Sequence, residues 1–258
     1  MAHVEAPSPV SILLSGVLLK MGAYGLLRGI GMLPLAAQAL QGIFAFLALV
    51  SIFYGALLAW RQSDLKAMIA YSSISHMGLV MLGISSLNEI GLMGATLQMS
   101  FHGLIAGALF LLVGLLYERT HTLEITAYSS LIRQAPRFAV FTSIALLAGM
   151  GLPGTAGFVA EVHAIVGGIA RWGWWMWPMI VSILVSAAYA IRTVGRLFTG
   201  PSADGGKPLM DLQGHELTAA STLALGIVGL GLVPAPLISL VSTSVGGLIA
   251  QISGFTPP

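Results

Sequence analysis

Seven apolar runs, each close to the roughly 20 residues that a bilayer core demands, occupy most of this sequence. Lipid offers no partner to a backbone N–H or C=O, so spanning segments satisfy those groups internally, as helices do. The approximate limits are 8–28, 38–60, 65–86, 90–117, 138–168, 173–198 and 217–250. They predict an all-α fold: a polytopic membrane helix bundle of about seven transmembrane helices, one of them broken, in a single membrane domain over residues 1–258. Only 8% of the residues are charged, against about 25% in soluble domains. The 32 glycines suit close helix packing in lipid.

Polar punctuation separates the runs. Residues 29–40, containing Pro34, divide the first two, and Trp60-Arg61-Gln62-Ser63-Asp64 forms a tight turn after the second. Asn88 and Glu89 divide the third from the fourth, and 117–137 is a charged connection. Arg171 with Trp172, Trp174, Trp175 and Trp177 marks a further boundary, as aromatic belts do at headgroup level. The longest loop is 200–216, with Asp204, Lys207, Asp211 and Glu216. On the N-terminal side of the bundle fall Arg61, Lys66, Arg119, Arg133, Arg137, Arg192, Arg196 and Lys207; on the other side fall only Arg28 and Arg171. Eight cations against two place the N-terminal side in the cytoplasm, or its stromal or matrix equivalent. Seven spans put the C-terminus on the opposite side; an eighth, split from the last run at Pro234 and Pro236, would move that terminus alone.

Several function classes drop out. A net charge of +2, with no basic run, gives no footing for nucleic acid. The absence of Cys removes disulfides, thiolate metal sites and iron–sulfur ligation. His3, Glu5, Pro7 and Pro9 stand where a signal peptide would begin with basic residues, so the first span is expected to serve as its own insertion signal.

Four ionisable residues remain inside the apolar runs: Lys20, His76, His102 and Glu161. A charge at mid-membrane costs about 2.5–3.5 kcal/mol on insertion scales, so such residues point to proton or ion transfer. Lys20 has no acid at helical spacing in its own run, so a charged partner must come from another helix; Arg28, eight residues on, occupies the end to which a lysine would otherwise snorkel. An amine held away from water can give up and regain a proton. His76 shares a helical face with Ser72 and Ser75, with Tyr71 and Ser73 nearby, and imidazole titrates near neutral pH. His102 has Gln98 one turn before it, and Gly103 and Gly107 after it at a spacing that admits a neighbouring helix closely. A helix-packing imidazole bonded to a carbonyl is the competing reading of both histidines. Asp64 and Lys66 read as solvated interface residues, and Glu118, Arg119, His121 and Glu124 as an ordinary charged loop. The histidines and Glu161 lack ligand pairs at helical spacing, which argues against a metal site.

The fifth run is interrupted by Gly149-Met150-Gly151-Leu152-Pro153-Gly154-Thr155-Ala156-Gly157. Pro153 removes a backbone donor, while Gly151, Gly154 and Gly157 weaken helix. Unwound backbone at this depth is tolerated where protein or a water-filled cavity covers it, and broken helices recur at transporter binding sites. Glu161 follows about one turn later.

Sequence motifs carry a family resemblance. Ala2-His3-Val4-Glu5-Ala6-Pro7 and Val17-Leu18-Leu19-Lys20-Met21-Gly22 resemble the M-type (chain 4) antiporter-like subunit of complex I and of NAD(P)H-quinone oxidoreductases. So do Asp64-Leu65-Lys66, Ile69-Ala70-Tyr71-Ser72-Ser73-Ile74-Ser75-His76-Met77-Gly78, Leu97-Gln98-Met99-Ser100-Phe101-His102-Gly103, Tyr117-Glu118-Arg119-Thr120-His121-Thr122 and Leu152-Pro153-Gly154-Thr155-Ala156-Gly157-Phe158-Val159-Ala160-Glu161. Together they cover about residues 2–200. Glu161, where the L and N types typically carry Lys, favours the M type, and Gly31-Met32-Leu33-Pro34 and the run around His102 most resemble cyanobacterial and plastid forms.

The resemblance implies a proton-translocating membrane-arm subunit in a bacterial inner, thylakoid or mitochondrial inner membrane, with other membrane subunits and lipid as partners. It implies no cofactor in this chain; NAD(P)H or ferredoxin oxidation and quinone reduction would lie elsewhere. Lys20 matches the central lysine, His76 and His102 the hydrated axis, and Glu161 the exit-side acid on the broken helix. Segment 8–28 matches the last helix of the family's first five-helix repeat, 38–198 the second repeat, and 199–258 a loop and C-terminal helix. The preceding helices of the family, with their buried Glu–Lys pair, have no counterpart here, so a separate companion chain, another subunit or an altered entry route is expected in their place. Two other readings stay open: a shortened structural subunit that does not pump, and part of a cation/proton antiporter or inorganic-carbon transporter.

Overall fold

The computed structural model describes residues 2–200 and 209–254; Asp204 and Lys207 lie outside them. Among the described residues the regular structure is helical. The main elements are α1 (Ser8–Met32), α2 (Pro34–Arg61), α3 (Leu65–Ser85), α4 (Glu89–Thr120), α5 (Pro136–Gly149), α6 (Ala156–Trp172), α7 (Trp177–Phe198), α8 (Gly214–Leu232) and α9 (Ala235–Ser253). Among the described residues seven stretches are long and apolar enough to cross a membrane, α6 and α7 counting as one continuous stretch.

Helix boundaries follow local chemistry. The expected loop at 29–40 shrinks to Leu33, because Pro34 opens α2 at a position where its missing N–H costs nothing. Asp64 caps α3 by accepting from Ala67 N at 2.7 Å. Asn88 caps α4 through Gly91 N at 2.8 Å and donates to Gly167 O at 2.8 Å, which ties the start of α4 to α6. His121 closes α4 in the left-handed region. Asp211 reaches from the loop before α8 to accept from the first-turn N–H groups of Arg137 and Phe138, both at 3.0 Å, so it caps α5 from outside.

α3 and α4 form the buried centre, with α1, α2, α6, α7, α8 and α9 around them. The α4–α6 contact is so close that a Cβ at Gly94 would strike the backbone of Ala164 and come within 2.6 Å of the His163 carbonyl carbon. Gly103 of α4 faces the backbone of Gly16 in α1; a Cβ there would lie 3.1 Å from Gly16 O. The glycine after His102 therefore admits α1, as its spacing predicts.

Three expectations need correction. The run 217–250 is two helices, α8 and α9, parted at Val233-Pro234 because proline cannot continue a helix hydrogen-bonded to its predecessor. α9 ends beside the α1–α2 turn, where Gln38 Nε2 donates to Ile252 O at 3.5 Å, so the pair runs from the Arg119 end of the bundle to the opposite end. Lys66 is not solvated. It is buried, and its ammonium donates to Val4 O at 3.2 Å and Ala6 O at 2.5 Å, clamping the segment before α1 onto α3. Arg119 is not a free loop cation either; it pairs with Glu216 at 2.5 Å and joins the end of α4 to the start of α8.

Candidate functional site

α1, α3, α4 and α6 each bring one ionisable side chain to the middle of the bundle. Lys20 is 9% exposed, His76 6%, His102 4% and Glu161 7%. At such burial the snorkelling reading of Lys20 fails.

A π-helical turn, Leu14–Leu18, immediately precedes Lys20. Such widened turns occur inside α-helices and often at functional positions. Here the carbonyl of Ser15 accepts a hydrogen bond from the Lys20 ammonium. Ser15 is fixed in turn by its hydroxyl, 3.2 Å from that of Ser73 on α3. Lys20 Nζ lies 2.7 Å from His102 Nδ1 on α4. An ammonium donates across that contact to a bare Nδ1; a neutral amine accepts from a protonated one.

The His102 and His76 rings are 5.2 Å apart, centroid to centroid, and tilted by 52°. A cavity of about 20 Å³ touches both, together with Ser72, Ser73 and Tyr189. A single water needs roughly 10–15 Å³, so the space that both imidazoles border accommodates one. His76 Nδ1 then lies 3.3 Å from Glu161 Oε1 on α6. Gln98 Nε2 is 3.5 Å from the same ring nitrogen, so donation by Gln98 and donation to Glu161 are alternatives set by the His76 tautomer. A second cavity, about 10 Å³, is lined by Ser75, His76, Met150, Glu161, Ser182 and Ser186.

The interruption in the fifth run is a true break. α5 stops at Gly149, α6 begins at Ala156, and Gly151 (φ +75°) and Gly154 (φ +91°) adopt left-handed backbone between them. A side chain at Gly151 would collide with the Glu161 carboxylate, so that glycine provides both the turn and the room for the acid. Pro153 sits on the exposed part of the break. Gly157 lets the start of α6 pass against the carbonyl of Ala148. Thr155 closes the break by donating to Leu152 O at 2.7 Å, and Gly231 of α8 packs on Thr155 from outside. α8 thus covers the unwound backbone at Gly154 and Thr155, while Leu152 and Pro153 stay at the surface of the chain.

Of the supporting residues expected from sequence, Ser72 and Gln98 join this arrangement. Ser75 lines the Glu161 cavity while donating to Ile52 O at 2.9 Å. Tyr71 does not join; it is half-buried against the apolar core. His163 turns away and bonds the carbonyl of Val159 at 2.7 Å. Sequence reasoning missed Tyr189, Ser186 and the Ser15–Ser73 contact. The first two had a signal: Ser182, Ser186, Tyr189 and Thr193 recur at helical spacing in α7 and all four are buried.

Comparison with known proteins identifies the family and the fold. The model of the NADH:quinone oxidoreductase/Mrp antiporter transmembrane family matches residues 1–187. The chain is 42% identical over 250 residues to NAD(P)H-quinone oxidoreductase chain 4 2 of Thermosynechococcus vestitus, covering 90% of this chain and 46% of that relative. It is 38% identical over 252 residues to NADH-quinone oxidoreductase subunit M of Rickettsia prowazekii, covering 97% and 51%. Among solved structures, a chain of respiratory complex I from Thermus thermophilus with bound NADH superposes with a TM-score of 0.88 at 33% identity, over 95% of this chain and 52% of that one. A chain of the Mrp complex from Dietzia sp. shares the fold, with a TM-score of 0.85 at 18% identity, over 97% and 56%. The chain thus spans about half the length of the curated relatives it matches. Its apolar helices and these relatives make it an integral membrane protein.

Proposed function

Because the chain belongs to the NADH:quinone oxidoreductase/Mrp antiporter transmembrane family, we propose that it carries protons within the membrane arm of a complex I-like quinone oxidoreductase. The supporting observation is that Lys20, His102, His76 and Glu161, from four different helices, form one buried succession with contacts of 2.7 and 3.3 Å at its two ends. Scattered charges kept only for packing would have no reason to line up.

The succession suggests its own chemistry. A protonated Lys20 breaks an N–H bond towards Nδ1 of His102 and is left as a neutral amine. The imidazolium so formed releases a proton, through water in the intervening cavity, to the ring of His76. The Nδ1–H of His76 is then broken towards Glu161, which becomes a neutral acid. Each step moves one proton between groups already in place, and the low-dielectric surroundings make each partner's charge matter to the next. Glu161 beside the helix break is the release group in this reading.

Segment 8–28 is then the closing helix of one repeat and 38–198 the second repeat, with other membrane subunits as partners. The cation-rich end would face the cytoplasm, stroma or matrix. Oxidation of the electron donor and reduction of quinone would occur on other subunits. The Mrp-like fold keeps a cation/proton antiporter as a second reading; the subunits that copurify separate the two. The decisive experiment is Glu161→Gln in the intact complex reconstituted into vesicles. Protons translocated per electron should fall sharply while the complex still assembles. Unchanged translocation would leave the chain a scaffold.

A further inference from the structure

Tyr189 lies inside α7, 4% exposed, one turn after Ser186 on the same helix and beside a cavity that it shares with Ser72 of α3. None of the steps above uses it. Yet Tyr189 and Ser72 line the cavity shared by the two histidines, and Ser186 lines the cavity shared by His76 and Glu161. The three hydroxyls therefore border the same two spaces that His76 borders. Ser72 donates its own proton to Ile69 O at 2.8 Å, which leaves its lone pairs for the phenol.

We propose that Ser186, Tyr189 and Ser72 form a second proton branch, parallel to His76, between the His102 side and the Glu161 side of the site. The inference rests on the proton-translocation reading above. In the orientation just described, the oxygen of Ser186 bonds an incoming proton from the Glu161 cavity. Its own O–H breaks towards Tyr189, the Tyr189 O–H breaks towards Ser72, and Ser72 turns its original O–H from Ile69 O into the histidine cavity and releases that proton there. One proton enters and one leaves, and rotation of the hydroxyls restores the starting state. Rotation before transfer runs the same chain in the opposite direction, towards Glu161. The branch has a use that a lone imidazole lacks. A histidine that receives on one nitrogen and releases from the other ends in the reversed tautomer, and a parallel hydroxyl path lets transfer continue while it resets.

The test is Tyr189→Phe, which keeps the ring and removes the oxygen, in the intact complex reconstituted into vesicles. Translocation per electron should show a partial loss, as should His76→Gln, and the double variant should fall to the level of Glu161→Gln. Ser186→Ala interrupts the chain without touching the ring and should reproduce the loss of Tyr189→Phe if that variant assembles poorly. If Glu161→Gln stops translocation while Tyr189→Phe and Ser186→Ala change nothing, alone or with His76→Gln, the branch is refuted and the main reading survives. If Glu161→Gln itself has no effect, it is the main reading that fails.

Discussion

Replacing Gly94 by alanine should uncouple the site from a position that touches none of its four ionisable groups. Gly94 lies on α4 where α6 crosses, and the added methyl would meet the backbone of Ala164 and come within 2.6 Å of the His163 carbonyl carbon. Carbon atoms settle at about 3.5 Å or more, so α6 must retreat by about 1 Å. Overpacking of this kind costs about 1–3 kcal/mol. Backbone atoms on both sides of the contact leave no side chain to absorb the strain. Glu161 rides on α6 one turn before Ala164, and its contact with His76 is already 3.3 Å, at the long end for an N–H···O bond. Half of that retreat, passed to the carboxylate, breaks the contact, and misplacements near 1 Å in reacting groups can cost about 100-fold. The assay is proton translocation per electron by the assembled complex in vesicles, alongside thermal stability in detergent. Gly195→Ala on α7, where nothing lies within 4 Å of the new methyl, is the control and should keep both. Assembled Gly94→Ala with full translocation would refute the idea that the α4–α6 spacing sets the Glu161 geometry.

Two further predictions concern protonation. Lys20→Arg should abolish translocation as thoroughly as Lys20→Met, because a guanidinium keeps the charge but does not release its proton; retained pumping with arginine would make Lys20 an electrostatic element only. Outside the membrane spans, burial pushes the Asp211 carboxyl up, but the N–H groups of Phe138, Arg137 and Leu212 and the charge of Arg137 outweigh it and hold the group below the usual carboxylate range. The folded state thus favours the carboxylate. Its stabilisation is complete above the ordinary value of about 4 and is lost as pH falls through the lowered folded value. Hydrogen exchange at the start of α5 should quicken over that acid window, and Asp211→Ala should cost about 1 kcal/mol, as loss of a helix cap does, and flatten the pH response.

What the sequence made legible was what can be judged one segment at a time. Lys20, His76, His102 and Glu161 stand out because each raises the insertion cost of its own run, and the Gly151–Gly157 region because glycines and a proline weaken a helix wherever it packs. Pairings were hidden. Lys20 meets His102 across 82 positions, and the carbonyl that also holds its ammonium is exposed to it by a π turn that no periodicity announces. Lys66 misled for a related reason: a lysine at a helix start reads as solvated, whereas its partners are the backbone carbonyls of Val4 and Ala6, which any sequence supplies. The last run was ambiguous in length alone, since a proline such as Pro234 can either kink a single helix or end it and let another begin.

The helix break and the buried acid are best understood together. A carboxylate between α3 and α6 needs one face free for His76 and space for its second oxygen. A continuous helix through 150–155 would fill that space with side chains. The break instead presents Gly151, whose missing Cβ is the only thing that keeps it clear of Oε2. Gly151 also needs its positive φ for the chain to turn there. Any L-residue at 151 would therefore meet two objections at once, strain in the backbone and collision with the acid. Moving the carboxylate off Gly151 would draw Oε1 away from His76, so the turn, the cavity and the final proton contact depend on the same absent atom.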